Sequence, residues 1–186
     1  MKLNAHQLRT LSEHDARPII KRRALSLILD NVYDTYNIGG LFRLADALAM
    51  EKIYLCGMTD TPPNHKIKKA SIGTYKIVPW EYAENTLEVI KKLKIKNKIS
   101  QKKTNLIAIE QHEKAVPYNT VDYQFPLALI VGNETSGISQ EVLTQCDRIV
   151  EIPMYGINKS LNVIVSAGIV SYHIVSRINL HKDNYV

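Results

Sequence analysis

The chain of 186 residues has only two cysteines, Cys56 and Cys146. They stand far apart and match no metal-ligand or redox spacing, so no metal is expected. Two plain thiols suit a reducing cytoplasm. Neither G-x-G-x-x-G nor G-x-x-x-x-G-K-[ST] occurs, which leaves a Rossmann oxidoreductase and a P-loop hydrolase without the motifs that define them. There is no internal repeat and no low-complexity tract, and no stretch reads as a signal peptide, Met1 to Thr10 being polar. One long apolar segment lies near the C-terminus. Ser166, Ser171, His173 and Ser176 interrupt it, and Lys159 and Arg177 bracket it. That pattern argues against a membrane span.

What is present suits one α/β domain with a short extension. The extension, residues 1–23, is basic, with Arg9, Arg17, Lys21, Arg22 and Arg23; the domain proper is expected over 24–180. Compact apolar runs at Ala24 to Leu29, Lys52 to Cys56, Thr104 to Ile109, Pro126 to Val131 and Arg148 to Ile152 read as strands, with a further one at Lys76 to Pro79. Asn31 to Gly40 and Gly57 to Asn64 read as loops. Helical spacing follows at Leu41, Leu44, Ala45 and Leu48, then within Glu81 to Lys96, then at Glu141 to Cys146. Strand and helix alternate, which predicts a mostly parallel sheet flanked by helices. The last helix is apolar on every side through Ile164, Val165, Ala167, Ile169, Val170, Ile174 and Val175, so full burial is expected.

In open α/β sheets, ligands gather at the carboxyl ends of strands, in loops leading to helices. Three such loops carry suitable groups. The first holds Asn37, Gly39, Gly40 and Arg43; the second Gly132, Asn133, Glu134, Ser136 and Gly137; the third Pro153, Gly156, Asn158, Ser160 and Asn162. Each residue alone has an ordinary structural reading. Ser160 is a good N-cap for the buried helix, Arg43 a solvated or ion-paired side chain, Asn133 a turn residue, and Glu134 an acid at a helix start. Their joint occurrence in this order is what points to a site.

The three loops resemble the three motifs of the SpoU-type RNA ribose 2′-O-methyltransferases of the SPOUT superfamily. They are Asn37-Ile38-Gly39-Gly40-Leu41-Phe42-Arg43, then Ile130-Val131-Gly132-Asn133-Glu134-Thr135-Ser136-Gly137, then Ile152-Pro153-Met154-Tyr155-Gly156-Ile157-Asn158-Lys159-Ser160-Leu161-Asn162. The resemblance runs from about Leu25 to Ile174. It implies a C-terminal deep trefoil knot, which no periodicity predicts because knots are exceptions to chain topology. It also implies S-adenosylmethionine as methyl donor and a homodimer whose active site is completed near the interface. By motif position, Asn37, Arg43, Glu134, Ser160 and Asn162 are the implied catalytic or substrate-positioning residues. The implied cofactor pocket is built largely from backbone at Ile109, Gly132, Ile152 and Leu161.

No His or Cys stands in the three motifs as an ordinary base. Arginine does not deprotonate at neutral pH. The resemblance implies that Arg43 works with an RNA phosphate to take or relay the proton of the ribose hydroxyl, and at the least it orients that hydroxyl and stabilises developing charge. Asn37 is expected to orient Arg43 or the ribose. The net charge of +6 and an isoelectric point near 9.2 permit a nucleic-acid partner without requiring one. Phosphate contact is expected at Arg9, Arg17, Lys21, Arg22 and Arg23. A second cluster, Lys91, Lys92, Lys94, Lys96, Lys98, Lys102 and Lys103, has an equally good reading as the basic end of a helix opened by Glu81, Glu84 and Glu88. By analogy with the family, the short extension and the very short tail beyond Arg177 slightly favour tRNA over rRNA as the expected substrate. The competing expectation is a noncatalytic RNA-binding module on the same fold.

Overall fold

The computed structural model describes residues 2–12, 20–95 and 103–180, so Arg17 and three members of the second cluster, Lys96, Lys98 and Lys102, lie outside the described residues. In chain order the elements are α1 (Ala5–Thr10), β1 (Arg23–Asp30), α2 (Thr35–Ala47), β2 (Met50–Cys56), α3 (His65–Ser71), β3 (Trp80–Ala83), α4 (Thr86–Lys94), β4 (Asn105–Ile109), β5 (Val116–Pro117), β6 (Leu127–Gly132), α5 (Gln140–Leu143), β7 (Arg148–Glu151) and α6 (Val163–Leu180). The strands form one seven-stranded sheet in the order β3-β2-β1-β6-β4-β7-β5. Every pairing is parallel.

The period of two along each strand divides the core into two layers. Leu25, Leu27 and Leu29 of β1 point to one face, with Leu127, Leu129 and Val131 of β6, Ile107 and Ile109 of β4, and Ile53 and Leu55 of β2. Helices α2, α3 and α6 cover that face through Ile38, Leu41, Phe42, Ile67, Ala167, Val170 and Ile174. Ile28, Ile130, Ala128, Leu106 and Ala108 point to the other face, covered by Val89 and Ile90 of α4 and Val142 and Leu143 of α5. Burial on both faces is why these strands are continuous apolar runs.

Several elements differ from the sequence expectation. Helix α2 begins at Thr35, capped by Asp34, whose carboxylate accepts from the Tyr36 N–H at 2.8 Å. Asn37, Gly39 and Gly40 are therefore helical. The glycines are there for packing: a Cβ on Gly39 would strike Ala70 of α3, and one on Gly40 would strike Ile164 of α6. Lys76 to Pro79 is not a strand; a 3-10 turn occupies Thr74–Lys76, and the edge strand is β3. Glu81 belongs to β3, and α4 starts only at Thr86, capped by Asn85. Helix α3 was not expected at all.

Helix α6 also departs from expectation. Asn162 caps it, its Oδ1 accepting from the Ile164 N–H at 2.9 Å, while Ser160 lies two residues before that cap. The helix is not buried all round. Val165 is 47% and Tyr172 54% exposed, on a stripe that includes half-buried Ile169.

Candidate active site

Parallel pairing aligns the carboxyl ends of β1, β4, β6 and β7 along one edge. A cavity of about 400 Å³ opens there, within the range of about 300–1,000 Å³ common for small-molecule sites. Its walls come from the segments that follow β4, β6 and β7 and from the lead-in to α6. Ile109, Gly132, Ile152 and Leu161 all line it. So do Glu134, Ser160 and Asn162.

A hydrogen-bonded relay joins the three motifs. The Glu134 carboxylate accepts from the backbone N–H groups of Tyr33 and Asp34, each at 3.2 Å, and from Asn37 Nδ2 at 2.8 Å. Asn37 Oδ1 in turn accepts from Asn162 Nδ2 at 3.0 Å. Asn162 then uses its own Oδ1 to cap α6. Burial pushes the Glu134 carboxyl up, but the Asn37 amide and the backbone N–H groups of Glu134, Tyr33 and Asp34 outweigh it and hold the group below its ordinary value. Glu134 is thus an ionised acceptor that fixes the start of α2 against the second motif, and its environment is not that of a base poised near neutrality.

The second motif is a closed loop. Asn133 and Gly137 exchange backbone hydrogen bonds at 3.1 and 2.9 Å. Asn133 Oδ1 accepts from the N–H groups of Thr135 and Ser136, and its Nδ2 donates to the Asn31 carbonyl. Gly137 has φ +67, the left-handed region that glycine adopts freely. Gly132 faces the Gly137 carbonyl and the Ile138 nitrogen so closely that a Cβ would overlap backbone. Two carboxylates missed in the sequence complete the frame. Glu110, directly after β4, accepts from Ile138 N–H at 2.8 Å, and buried Asp30 accepts from Thr86 Oγ1 at 2.6 Å and Ser139 N–H at 3.2 Å. The signal that marks them is a carboxylate at the carboxyl end of a buried strand.

Arg43 stands apart. It lies six residues beyond Asn37 on α2, about 9 Å along the axis and on a different face. It is exposed, does not line the cavity, and has no hydrogen-bond or ion-pair partner among the described residues. Asn37 is committed to Glu134 and Asn162 and does not touch it. Of the basic residues expected at RNA, Arg9 and Lys21 are exposed, whereas Arg22 is turned inward and donates to the carbonyls of Met50 at 2.9 Å and Ile77 at 2.6 Å. Arg23 is half-buried at the start of β1. Cys56 and Cys146 are free thiols pushed up to about 12 by burial, and neither lines the cavity.

The cavity wall carries Glu110, Glu134 and Glu151 and no Lys, Arg or His among the described residues. Apolar Ile109, Val131, Ile152 and Leu161 make the rest of the slot. Such a lining repels phosphate and suits a cationic ligand with a flat, partly apolar body. S-adenosylmethionine, a sulfonium bearing an adenosine, fits that description.

Residues 24–172 match the model of the SpoU rRNA Methylase family, and the chain belongs to that family. Membership places it in the class of S-adenosylmethionine-dependent RNA methyltransferases. It is 33% identical over 164 residues to the tRNA (guanosine(18)-2′-O)-methyltransferase of Aquifex aeolicus, covering 84% of this chain and 72% of that one. Its fold is similar to that of the SpoU methyltransferase AviRb from Streptomyces viridochromogenes in complex with AdoMet. The TM-score is 0.77 at 27% identity, covering 88% of this chain and 61% of AviRb. The A. aeolicus TrmH/SpoU tRNA modifying enzyme gives a TM-score of 0.74 at 27% identity, covering 95% and 83%. The chain therefore spans about three fifths of AviRb's length. Among the described residues, no helix is long and apolar enough to cross a membrane.

Proposed function

We propose that this chain transfers the methyl group of S-adenosylmethionine to a ribose 2′-hydroxyl of tRNA. The observation that carries the reading is the pairing of an acidic cavity, without Lys, Arg or His in its wall among the described residues, with an exposed Arg43 on the helix whose Asn37 bonds two residues of that wall, Glu134 and Asn162. The donor supplies an electrophilic methyl group on a sulfonium. Ile109, Ile152 and Leu161 would hold its apolar body, with Gly132 giving the backbone room to approach. Asn37, Glu134 and Asn162 are positioning residues: their relay fixes the first turn of α2, the second motif and the mouth of α6 relative to one another. Ser160, exposed at that mouth, is free to meet substrate. Arg43 grips an RNA phosphate and orients the attacking hydroxyl, stabilising the charge that develops on oxygen, while the hydroxyl proton passes to that phosphate or to water and S-adenosylhomocysteine departs as the C–S bond breaks.

A homodimer is part of the same proposal. The exposed stripe of α6 and the loop tip, with Tyr155 96% and Ile157 103% exposed, support it. So does the separation of Arg43 from the cavity of its own chain, since a partner's loop would close that gap. The knotted topology is supported by the insertion of β7 between β4 and β5 and the packing of α6 on α2, β4 and β6. A reducing, cytoplasmic setting is supported by the two unpaired thiols. Arg43→Ala tests the division of labour. Methyl transfer to total tRNA should be lost while calorimetric affinity for S-adenosylmethionine stays within about threefold; loss of cofactor binding would overturn the assignment.

A further inference from the structure

The lysines of this protein are used differently on two sides of the sheet. Around α4 and β4, Lys52 and Lys92 both bond Glu81, Lys94 bonds Gln145 and Lys103 bonds Asp147, and only Lys91 is exposed with no ion pair among the described residues there. On α3, by contrast, Lys66, Lys68 and Lys69 are exposed and form no ion pair among the described residues. The nearest acid in the chain, Asp60, accepts from Asn64 at 3.3 Å instead of from a lysine.

Packing places this unpaired charge beside Arg43. Gly39 of α2 lies against Ala70 and the Ser71 nitrogen of α3, and Gly40 lies against Ile164 of α6. Arg43 follows Gly39 by four residues and Gly40 by three, so it stands one turn further along the same side of α2. It emerges between α3 and α6. Helix α1 joins that side, because its Leu8 carbonyl and Arg9 nitrogen rest on Gly73, just past α3. Lys76 Nζ fastens its end by donating to the carbonyls of Arg9 at 3.1 Å and Leu11 at 2.6 Å.

We infer that the exposed face of α3, with Lys66, Lys68 and Lys69 and with Arg9 beside it, is the track that holds RNA phosphates and leads the strand to Arg43. The inference rests on the methyltransferase reading and deepens it by moving the main phosphate contact from the extension to the domain. Phosphate contacts fix register without reading sequence, and unpaired lysines on a short, well-packed helix supply them with no ion pair to break.

The test compares the full-length protein with the triple variant Lys66→Gln, Lys68→Gln, Lys69→Gln, using unmodified total tRNA across a salt series. The variant should bind about tenfold or more weakly at low salt, and the slope of log affinity against log salt should shrink by about 2 to 3. Calorimetric affinity for S-adenosylmethionine and the rate at saturating tRNA should be kept, which also shows that the variant is folded. The control Lys91→Gln, Lys94→Gln should leave the slope unchanged. An unchanged affinity and slope in the triple variant, or an equal loss in the control, overturns the track. Wild-type protein that binds tRNA but never methylates it overturns the functional reading, and the slope comparison still decides the track.

Discussion

Replacing Asn37 with alanine cuts the relay at its middle. The side chain is 5% exposed; it donates to Glu134 at 2.8 Å and accepts from Asn162 at 3.0 Å. A hydrogen bond to a charged group contributes about 1.5–3 kcal/mol and a neutral one about 0.5–1.5 kcal/mol. Both partners are exposed, and Glu134 keeps the Tyr33 and Asp34 donors, so water replaces part of each bond. The discounted loss is about 2 kcal/mol, or a fall in Tm of about 4–8 °C for a chain of this size. Asn37→Asp should lose more, and more at about pH 8 than at about pH 5, because it sets a second carboxylate against Glu134. Urea unfolding of Asn37→Ala, Glu134→Ala and the double variant measures the coupling directly. A loss below about 0.5 kcal/mol with additive single effects would refute the relay.

Further outcomes follow from the same geometry. Gly132→Ala should weaken S-adenosylmethionine binding by about tenfold or more, since its Cβ meets backbone of Gly137 and Ile138; Gly40→Ala, which meets only the flexible end of Ile164, should cost far less, and calorimetry on both variants checks the contrast. Glu134, held below its ordinary value of 4.5, adds stability that is fully present above that pH and is lost as pH falls through the lower folded value; Glu134→Gln should flatten that acid limb in a pH series of unfolding midpoints. Val165→Lys, on the exposed stripe of α6, should yield monomers by sedimentation with the cavity's cofactor affinity retained in each chain.

Much of the sheet was legible because β1, β4 and β6 are buried on both faces, which writes them as unbroken apolar runs. The start of α2 was not. Thr35 to Gly40 combines Asn and two glycines, all weak helix formers, and only the approach of Ala70 and Ile164 shows why small residues sit in that helix. Ser160 and Asn162 are both good caps two residues apart, and the choice rests on which side chain reaches the Ile164 N–H. The three motif loops were found as separate stretches. That Asn37 bonds Glu134 and Asn162, and not Arg43, depends on the helical phase of Thr35–Ala47, where the sequence predicts a loop as far as Gly40. Asp30 and Glu110 went unseen because their key partners are 109 and 28 residues away. The full burial expected of α6 failed along Val165 and Tyr172 because high hydropathy does not by itself say which side of a helix meets the core.

The central claim is tested most directly by where the methyl group lands. Total tRNA incubated with this protein and isotopically labelled S-adenosylmethionine is digested to nucleosides, and mass fragmentation separates ribose from base. The account predicts label on the ribose 2′-oxygen of a discrete nucleotide, and none with Arg43→Ala. Label on a base, or wild-type transfer that survives unchanged in Arg43→Ala, would contradict it.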